Sequence, residues 1–205
     1  FDPKVPGERA VSACCDVVNR GVAVWGDKLF VGALDGRLIA LDRKTGKELW
    51  STQTFDTSKP YTITGAPRVV KDMVLIGNGG AEFGVRGYVT AYDADTGKER
   101  WRFYTAPNPN KEKDGAVSDD IFASKGNATW SDKGEWQTSG GGGTVWDAIV
   151  YDKDLDQIYL GVGNGNPWNH GTRSNGEGDN WFLSSVVALD ATTGKYKWHY
   201  QETPG

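Results

Sequence analysis

Three segments of the sequence share one eleven-residue pattern, Ala-x-Asp-x-x-Thr-Gly-Lys-x-x-Trp. The copies occupy residues 40–50, 91–101 and 188–198. In each copy an apolar strand ends at the aspartate, Thr-Gly-Lys supplies a tight reversal, and the next strand carries the tryptophan on its inner face. The repeat therefore predicts three β-hairpins of one design.

The spacing of the copies indicates how the hairpins are arranged. The first two copies start 51 residues apart, at Ala40 and Ala91, close to the roughly 50-residue length of a four-stranded propeller blade. The third copy starts 97 residues later. That gap suits either nearly two blades, helped by a weaker hairpin pattern at residues 145–163, or one blade preceded by an insertion. We prefer the insertion, because residues 105–143 are polar and rich in Gly, Asn, Lys and Asp, as long loops are.

These patterns predict an all-β chain, a β-propeller of four-stranded blades. The 28 glycines and nine tryptophans, with a single methionine, suit sheets joined by tight turns better than a helical bundle. The predicted blades cover about residues 22–52, 66–104 and 144–201, with the insertion loop at 105–143. Residues 1–205 then form one partial propeller domain.

Three blades are fewer than the 4 to 8 of a typical closed propeller, and they would leave open sheet edges. The first residues, FDPKVPGERA, do not resemble a secretory signal peptide. We therefore expect an internal fragment of a longer protein. No transmembrane segment is expected, because no apolar stretch approaches the roughly 20 residues of a membrane helix. The formal net charge of -4 argues against nucleic acid as a partner.

The two cysteines, Cys14 and Cys15, are adjacent, which excludes a CxxC metal or redox motif. One interpretation is a pair of small buried thiols. The other is a vicinal disulfide, which requires an oxidising compartment. The residues alone leave both interpretations open. Arg20 follows five residues after Cys15 and could serve a bound anionic or carbonyl group.

Three glycine-rich segments carry residues that packing alone explains less well. Glu82 lies in a turn where Gly79 and Gly80 would let backbone N–H groups approach a ligand, although an exposed hairpin glutamate is the simpler interpretation. Trp146 follows a glycine run and could form a platform for a planar ligand or simply join the core. Asn164 could bind a metal or cap its Gly-Asn-Gly turn.

Together these segments resemble one family, the PQQ-dependent (pyrroloquinoline quinone) methanol and alcohol dehydrogenases. The resemblance spans essentially the whole chain and rests on ACCDVVNRG, GAEFGVRGY, GGGTVWD and GVGNGNPWN. The tryptophan-ended hairpin resembles the tryptophan-docking repeat of that family. The resemblance implies part of an eight-bladed propeller, and the glycine-rich segments are more similar to the broad-specificity alcohol dehydrogenases than to the methanol-specific enzymes.

The resemblance also implies roles for the residues that flank the quinone. Cys14 and Cys15 would form a vicinal disulfide ring against one face of PQQ, and Trp146 would stack against the other face. Glu82 and Asn164 would bind the metal.

A second group would hydrogen-bond the polar edge of the quinone. By the same resemblance this group contains Arg20 and Thr64, joined by Gly80, Ala81 and Thr144. Calcium is the expected ion because oxygen ligands suit a large hard cation, and a lanthanide is the alternative.

The implied activity is oxidation of primary alcohols to aldehydes in the periplasm, with electrons passed to a cytochrome c-type acceptor or a quinone. The family's catalytic carboxylate follows a segment like Gln201-ETP-Gly205, so we expect the base beyond residue 205 and assign no catalytic residue here. A haem c domain would also lie beyond this chain. We therefore expect the 205-residue chain to be inactive by itself.

Two other functions remain open from the sequence. Propellers with this repeat can be non-enzymatic scaffolds that bind partners through loops, but a scaffold has no use for the cysteine pair, Glu82, Trp146 and Asn164 together. A sugar- or polyol-oxidising quinoprotein is a nearer alternative, and the adjacent cysteines favour the alcohol branch.

Overall fold

The computed structural model describes residues 1–205, and it is built from three four-stranded antiparallel sheets. The first sheet contains β1 (Val22–Trp25), β2 (Lys28–Gly32), β3 (Arg37–Asp42) and β4 (Glu48–Gln53). The second contains β5 (Arg68–Val70), β6 (Met73–Gly77), β7 (Tyr88–Asp93) and β8 (Glu99–Tyr104). The third contains β9 (Ile149–Asp152), β10 (Gln157–Val162), β11 (Ser185–Asp190) and β12 (Tyr196–Gln201). In every sheet the strands pair in chain order, as expected of an all-β meander.

The three predicted hairpins are confirmed, and the turn chemistry explains them. In the first copy, Asp42 accepts hydrogen bonds from the backbone N–H and the hydroxyl of Thr45, both at 2.7 Å. Gly46 follows with a φ of 70°, a left-handed conformation that favours glycine. The same bonds recur in the other two copies. The aspartate and the Thr-Gly pair therefore close each hairpin locally.

The first two hairpin tryptophans, Trp50 and Trp101, each pack on the turn of the next sheet. The Trp50 indole N–H donates to the Ala94 carbonyl oxygen at 3.2 Å, and a Cβ on Gly97 would come within 2.6 Å of the Trp50 ring. Trp101 lies equally close to Gly194, at 2.5 Å from an added Cβ. Two apolar cores fill the spaces between the first and second sheets and between the second and third.

Two long segments lie outside the sheets, and we call them excursions. The first precedes the third sheet, and the second lies between two of its strands, β10 and β11. The first, residues 105–148, contains α1 (Asp119–Ser124), a 3-10 turn at Gly126–Thr129 and α2 (Trp136–Ser139). It differs from the expected loop, because Trp130 and Trp136 are buried in a small core of their own. The second, residues 163–184, contains α3 (His170–Ser174) and was not expected as an excursion. No helix in the structure has the length and apolar character needed to cross a membrane.

Candidate functional site

One cavity of about 200 Å³ collects nearly all of the predicted site residues. We call it the disulfide cavity. Nine of the ten predicted residues are among the 14 that line it: Cys14, Cys15, Arg20, Thr64, Gly80, Glu82, Thr144, Trp146 and Asn164. The tenth, Ala81, is buried behind the wall, where it begins a 3-10 turn.

A larger cavity of about 530 Å³ lies against the first sheet. Its lining is mostly apolar, with Val22, Leu29 and Leu41 from the strands, and contains no ionisable side chain. It therefore offers no ionisable side chain for acid–base chemistry, and the disulfide cavity is the better candidate.

The cysteine pair forms the predicted disulfide, which excludes the alternative of two free thiols. The segment that carries it is tied to the sheets just after the cysteines. The Asn19 side chain donates to the Gly32 carbonyl oxygen at 3.1 Å, and the Arg20 backbone N–H donates to the Thr64 carbonyl oxygen at 3.0 Å. These bonds hold an exposed disulfide over the cavity.

Trp146 supplies a flat apolar surface on the cavity wall, and 44% of its surface is exposed. The Arg20 guanidinium lies 5.0 Å from the centre of the indole ring, within cation–π range. The backbone next to Thr64 touches the Trp146 segment, because a Cβ on Gly65 would come within 2.6 Å of the Trp146 carbonyl oxygen. Arg20, Thr64 and Trp146 are thus fixed relative to one another.

Glu82 lies in the 3-10 turn Ala81–Phe83 between β6 and β7, as the glycine-rich turn predicted. Gly80 has a φ of 103°, and a Cβ there would come within 2.5 Å of the Pro60 carbonyl oxygen, so the turn requires glycine. The backbones of Thr62 and Gly79 are hydrogen-bonded to each other beneath it. The Glu82 carboxylate is exposed and belongs to no ion pair in the chain.

The glycine run at residues 140–143 connects the Glu82 turn to the Asn164 turn. All four glycines have φ between 70° and 80°. The Gly142 carbonyl oxygen accepts from the Gly87 N–H at 2.8 Å, and the Gly143 N–H donates to the Asn164 carbonyl oxygen at 2.9 Å. The sequence suggested a flexible loop here, whereas backbone hydrogen bonds on both sides hold the run in place.

Asn164 follows β10 and has its side chain turned back on its own turn. The amide nitrogen donates to the Gly165 carbonyl oxygen at 3.1 Å, which leaves the amide oxygen free to bind a cation. The turn-capping role and a ligand role are therefore compatible.

A buried arginine braces the Glu82 side of the site. Arg86 pairs with Asp114 at 2.8 Å and lies 3.7 Å from the centre of the Tyr104 ring. Burial lowers the pKa of the Arg86 guanidinium, which nevertheless stays charged because the pKa of arginine is so high. The pair joins the strand after Glu82 to the first excursion.

The side chains present suit a flat, polar-edged ligand and a hard cation. An indole and a disulfide offer two apolar surfaces, and Thr144, a residue only 2% exposed, lines the same cavity. Glu82 and Asn164 offer oxygen donors, the type that calcium and related ions prefer. The chain has no cluster of three His, Cys, Asp or Glu side chains, so other ligands must complete any metal site.

Sequence reasoning missed four lining residues, Ala13, Asp16, Val18 and Thr62, whereas Gly79 was expected to let backbone N–H groups approach a ligand. Ala13, Asp16 and Val18 belong to the same short segment as the cysteines, so proximity in sequence could have indicated them. Thr62 is placed beside Gly79 by antiparallel backbone pairing, a long-range contact with no local signal.

A family model described as glucose/ethanol/alcohol dehydrogenase, β-propeller domain (PQQ) matches residues 2–203. The chain belongs to this family. Its three sheets are accordingly propeller blades, and the predicted fold class is confirmed.

Individual members of the PQQ family are similar along the whole chain. The dehydrogenase subunit of alcohol dehydrogenase (quinone) from Gluconobacter oxydans (strain 621H) is 58% identical over 210 residues, which cover 100% of this chain and 28% of that protein. The structure of quinohemoprotein alcohol dehydrogenase ADHIIG from Pseudomonas putida HK5 gives a TM-score of 0.93 at 56% identity, covering 100% of this chain and 29% of that one.

A europium-containing methanol dehydrogenase is also similar, with a TM-score of 0.85 at 42% identity, covering 100% of this chain and 35% of that one. The chain thus spans 28% to 35% of the length of these three relatives.

Proposed function

We propose that this chain forms the quinone- and metal-binding part of a PQQ-dependent alcohol dehydrogenase that oxidises primary alcohols to aldehydes. The observation that carries the proposal is the meeting of nine separately predicted residues in one cavity of about 200 Å³. These residues come from five segments spread between positions 14 and 164, so local sequence does not explain their meeting.

In this proposal the quinone lies between Trp146 and the Cys14–Cys15 disulfide. Arg20 supplies positive charge at the rim, which suits an anionic or carbonyl edge. The hydroxyls of Thr64 and Thr144 supply further hydrogen-bond donors. The Gly80 backbone and, from behind the cavity wall, Ala81 make weaker contacts with the same polar edge. The indole surface contributes mostly by burying apolar area of a flat ligand.

Glu82 and Asn164 are the proposed metal ligands. The ion is calcium, and a lanthanide is the alternative because a similar methanol dehydrogenase contains europium. Both ions are hard and take oxygen ligands. The Glu82 carboxylate has no cation partner within the chain, which leaves its charge available for such an ion.

When bound, the metal and the quinone supply Lewis-acid activation and a hydride acceptor for the alcohol carbon. The residues of this chain orient the quinone, hold the cation beside it and limit access of water. They do not include the base that takes the alcohol proton, which we place beyond residue 205. The 205-residue chain is accordingly expected to be inactive alone.

The wider setting follows from the relatives. One relative is named as a quinone-linked alcohol dehydrogenase and another as a quinohemoprotein, so we propose a quinone or cytochrome c-type acceptor and a haem c group in the rest of the protein. A disulfide requires an oxidising compartment, which supports the periplasm. The scaffold alternative is not favoured by the family match, whereas sugar or polyol oxidation is left to the assay.

The test uses the full-length protein, purified without cofactor and reconstituted with PQQ plus calcium or a lanthanide. Dye-linked oxidation of ethanol, methanol and glucose is measured beside Glu82→Gln. Glu48→Gln is the matched control, because Glu48 is exposed on β4 and does not line the cavity. We expect ethanol oxidation that needs both PQQ and metal, a loss of metal affinity of at least about 10-fold in Glu82→Gln, and no change in the control.

Other outcomes point elsewhere. Preference for glucose would indicate a sugar-oxidising quinoprotein with the same site. Absence of quinone binding under every condition would reject the enzyme proposal and leave a scaffold propeller.

A further inference from the structure

A second buried arginine lies behind the Asn164 turn. Arg173, on α3, is only 4% exposed. Its guanidinium donates to the carbonyl oxygens of Pro167 at 2.8 Å and Trp168 at 2.9 Å, and to the Asn180 side chain at 2.8 Å. Two nitrogens of one planar group thus make three hydrogen bonds, which hold residues 167, 168 and 180 together.

No carboxylate neutralises this charge. Arg173 belongs to no ion pair, and burial alone lowers the pKa of its guanidinium. The group stays protonated, because arginine does not lose its proton in proteins. A buried, unpaired cation is costly, so a structural need for its geometry must offset the cost.

The geometry links Arg173 to Asn164 through Gly165, the next residue along the chain. A Cβ on Gly165 would come within 2.8 Å of both Cδ and Nε of Arg173, so the backbone next to Asn164 rests on the arginine side chain. Asn164 and Arg173 also line one further cavity of about 330 Å³. The turn is therefore supported from beneath by the arginine and from the side by the glycine run.

Asn180 fixes the arginine in turn. It is fully buried, and its amide nitrogen donates to the Thr129 carbonyl oxygen at 2.9 Å. Thr129 belongs to the first excursion, so the two excursions are joined through this amide. Rotation of Arg173 away from the turn would break its hydrogen bonds to the Asn180 side chain and to the Pro167 and Trp168 carbonyl oxygens.

We propose that Arg173 is a positioning residue that aims the Asn164 amide oxygen at the cation held by Glu82. The proposal rests on the proposed function, because it assumes a metal at Glu82 and Asn164. Lysine cannot replace Arg173, since a single ammonium lacks the planar fork that reaches Asn180 and two carbonyl oxygens together.

The experiment titrates Eu³⁺ into the full-length protein reconstituted with PQQ. Binding is followed by europium luminescence, and lifetimes in H₂O and D₂O count the water molecules on the ion. The variants are Arg173→Lys, Arg173→Gln, Asn164→Ala and the double variant R173K/N164A. Arg102→Lys is the control for substitution of a half-buried arginine that holds backbone and side-chain oxygens elsewhere, because Arg102 donates to Thr54 and Thr90 and lines neither cavity.

We expect each Arg173 variant to weaken Eu³⁺ binding about 10-fold or more and to admit about one extra water molecule. Asn164→Ala should do the same, and the double variant should bind no more weakly than Asn164→Ala, because Arg173 acts through Asn164. The control should match the wild-type protein. Arg173→Lys decides the matter if Arg173→Gln does not fold.

Wild-type affinity in Arg173→Lys, or additive losses in the double variant, would overturn the positioning role while leaving the metal site intact. Failure of the wild-type protein to bind Eu³⁺ would overturn both the positioning role of Arg173 and the proposed metal site. Where Eu³⁺ does bind, Glu82→Gln shows whether it binds at the proposed site. That variant loses binding only where the proposed metal site exists.

Discussion

Four successive glycines at residues 140–143 determine whether the two ligand turns can meet. At Gly142 a Cβ would come within 2.7 Å of the Asn166 backbone nitrogen and 2.8 Å of the Asn164 carbonyl oxygen. The obstacle is backbone on both sides, so no rotamer change relieves it. The left-handed φ of 76° adds a second restriction.

Gly142→Ala should therefore destabilise the protein and weaken metal binding together. Strain at positive φ costs about 1–2 kcal/mol, and the backbone overlap adds about 1–3 kcal/mol. Gly176→Ala is the matched control, because Gly176 has a φ of 70° and open space around its Cβ position. Urea unfolding and Eu³⁺ titration of the full-length protein measure both effects. Equal losses in the two variants would show that only backbone strain matters.

At the residue scale, the sequence predicts those site residues whose neighbours in the sequence are unusual. Cys14 is next to another cysteine, and Glu82 and Asn164 lie between glycines. Arg173 has no such signal, because in the sequence it is one arginine in a polar stretch. Its importance comes from burial and from Asn180, which only the folded excursion provides.

At the element scale, the hairpins and the place of the first excursion were predictable, whereas the helices inside the excursions and the second excursion were not. The Asp-x-x-Thr-Gly turn closes through bonds within four residues, so its sequence determines its shape. The helices α1, α2 and α3 contain only four to six residues each, too few for a hydrophobic period and too short to be stable alone. The small core that holds α2 joins Trp130 and Trp136 to Leu183 of the second excursion, a long-range contact.

Docking of Trp101 on the Gly194 turn should be a main link between the second and third sheets. Trp101→Ala removes a large buried ring and should cost about 3–5 kcal/mol. Gly194→Ala should also destabilise, because its Cβ would come within 2.5 Å of that ring. The double variant should lose less than the sum of the single losses, because the shortened residue 101 makes room for the new methyl group. Thermal unfolding of the four proteins measures the coupling, and strict additivity would argue against docking.

At the scale of the whole molecule, the first and third sheets expose apolar surface on their outer sides, whereas the equivalent surface between neighbouring sheets is buried. Trp198 is 44% exposed and Tyr200 is 65% exposed on the third sheet, while Trp101, in the equivalent position, is 6% exposed. On the first sheet, Gly46 has open space where Gly97 and Gly194 each receive a tryptophan. The first sheet thus has a turn on which no tryptophan packs, and the third sheet has a tryptophan that packs on no turn.

We expect further blades of the longer protein to complete these pairs. In the full-length protein, Trp198→Ala should then cost about 3–5 kcal/mol, as Trp101→Ala does, because a following turn would bury the indole. Gly46→Ala should likewise cost as much as Gly97→Ala, since a tryptophan from another blade would fill the open space. Urea unfolding of the four variants gives the comparison. Nearly neutral substitutions at Trp198 and Gly46 would mean that both surfaces stay exposed, which is incompatible with a closed propeller around the proposed quinone site.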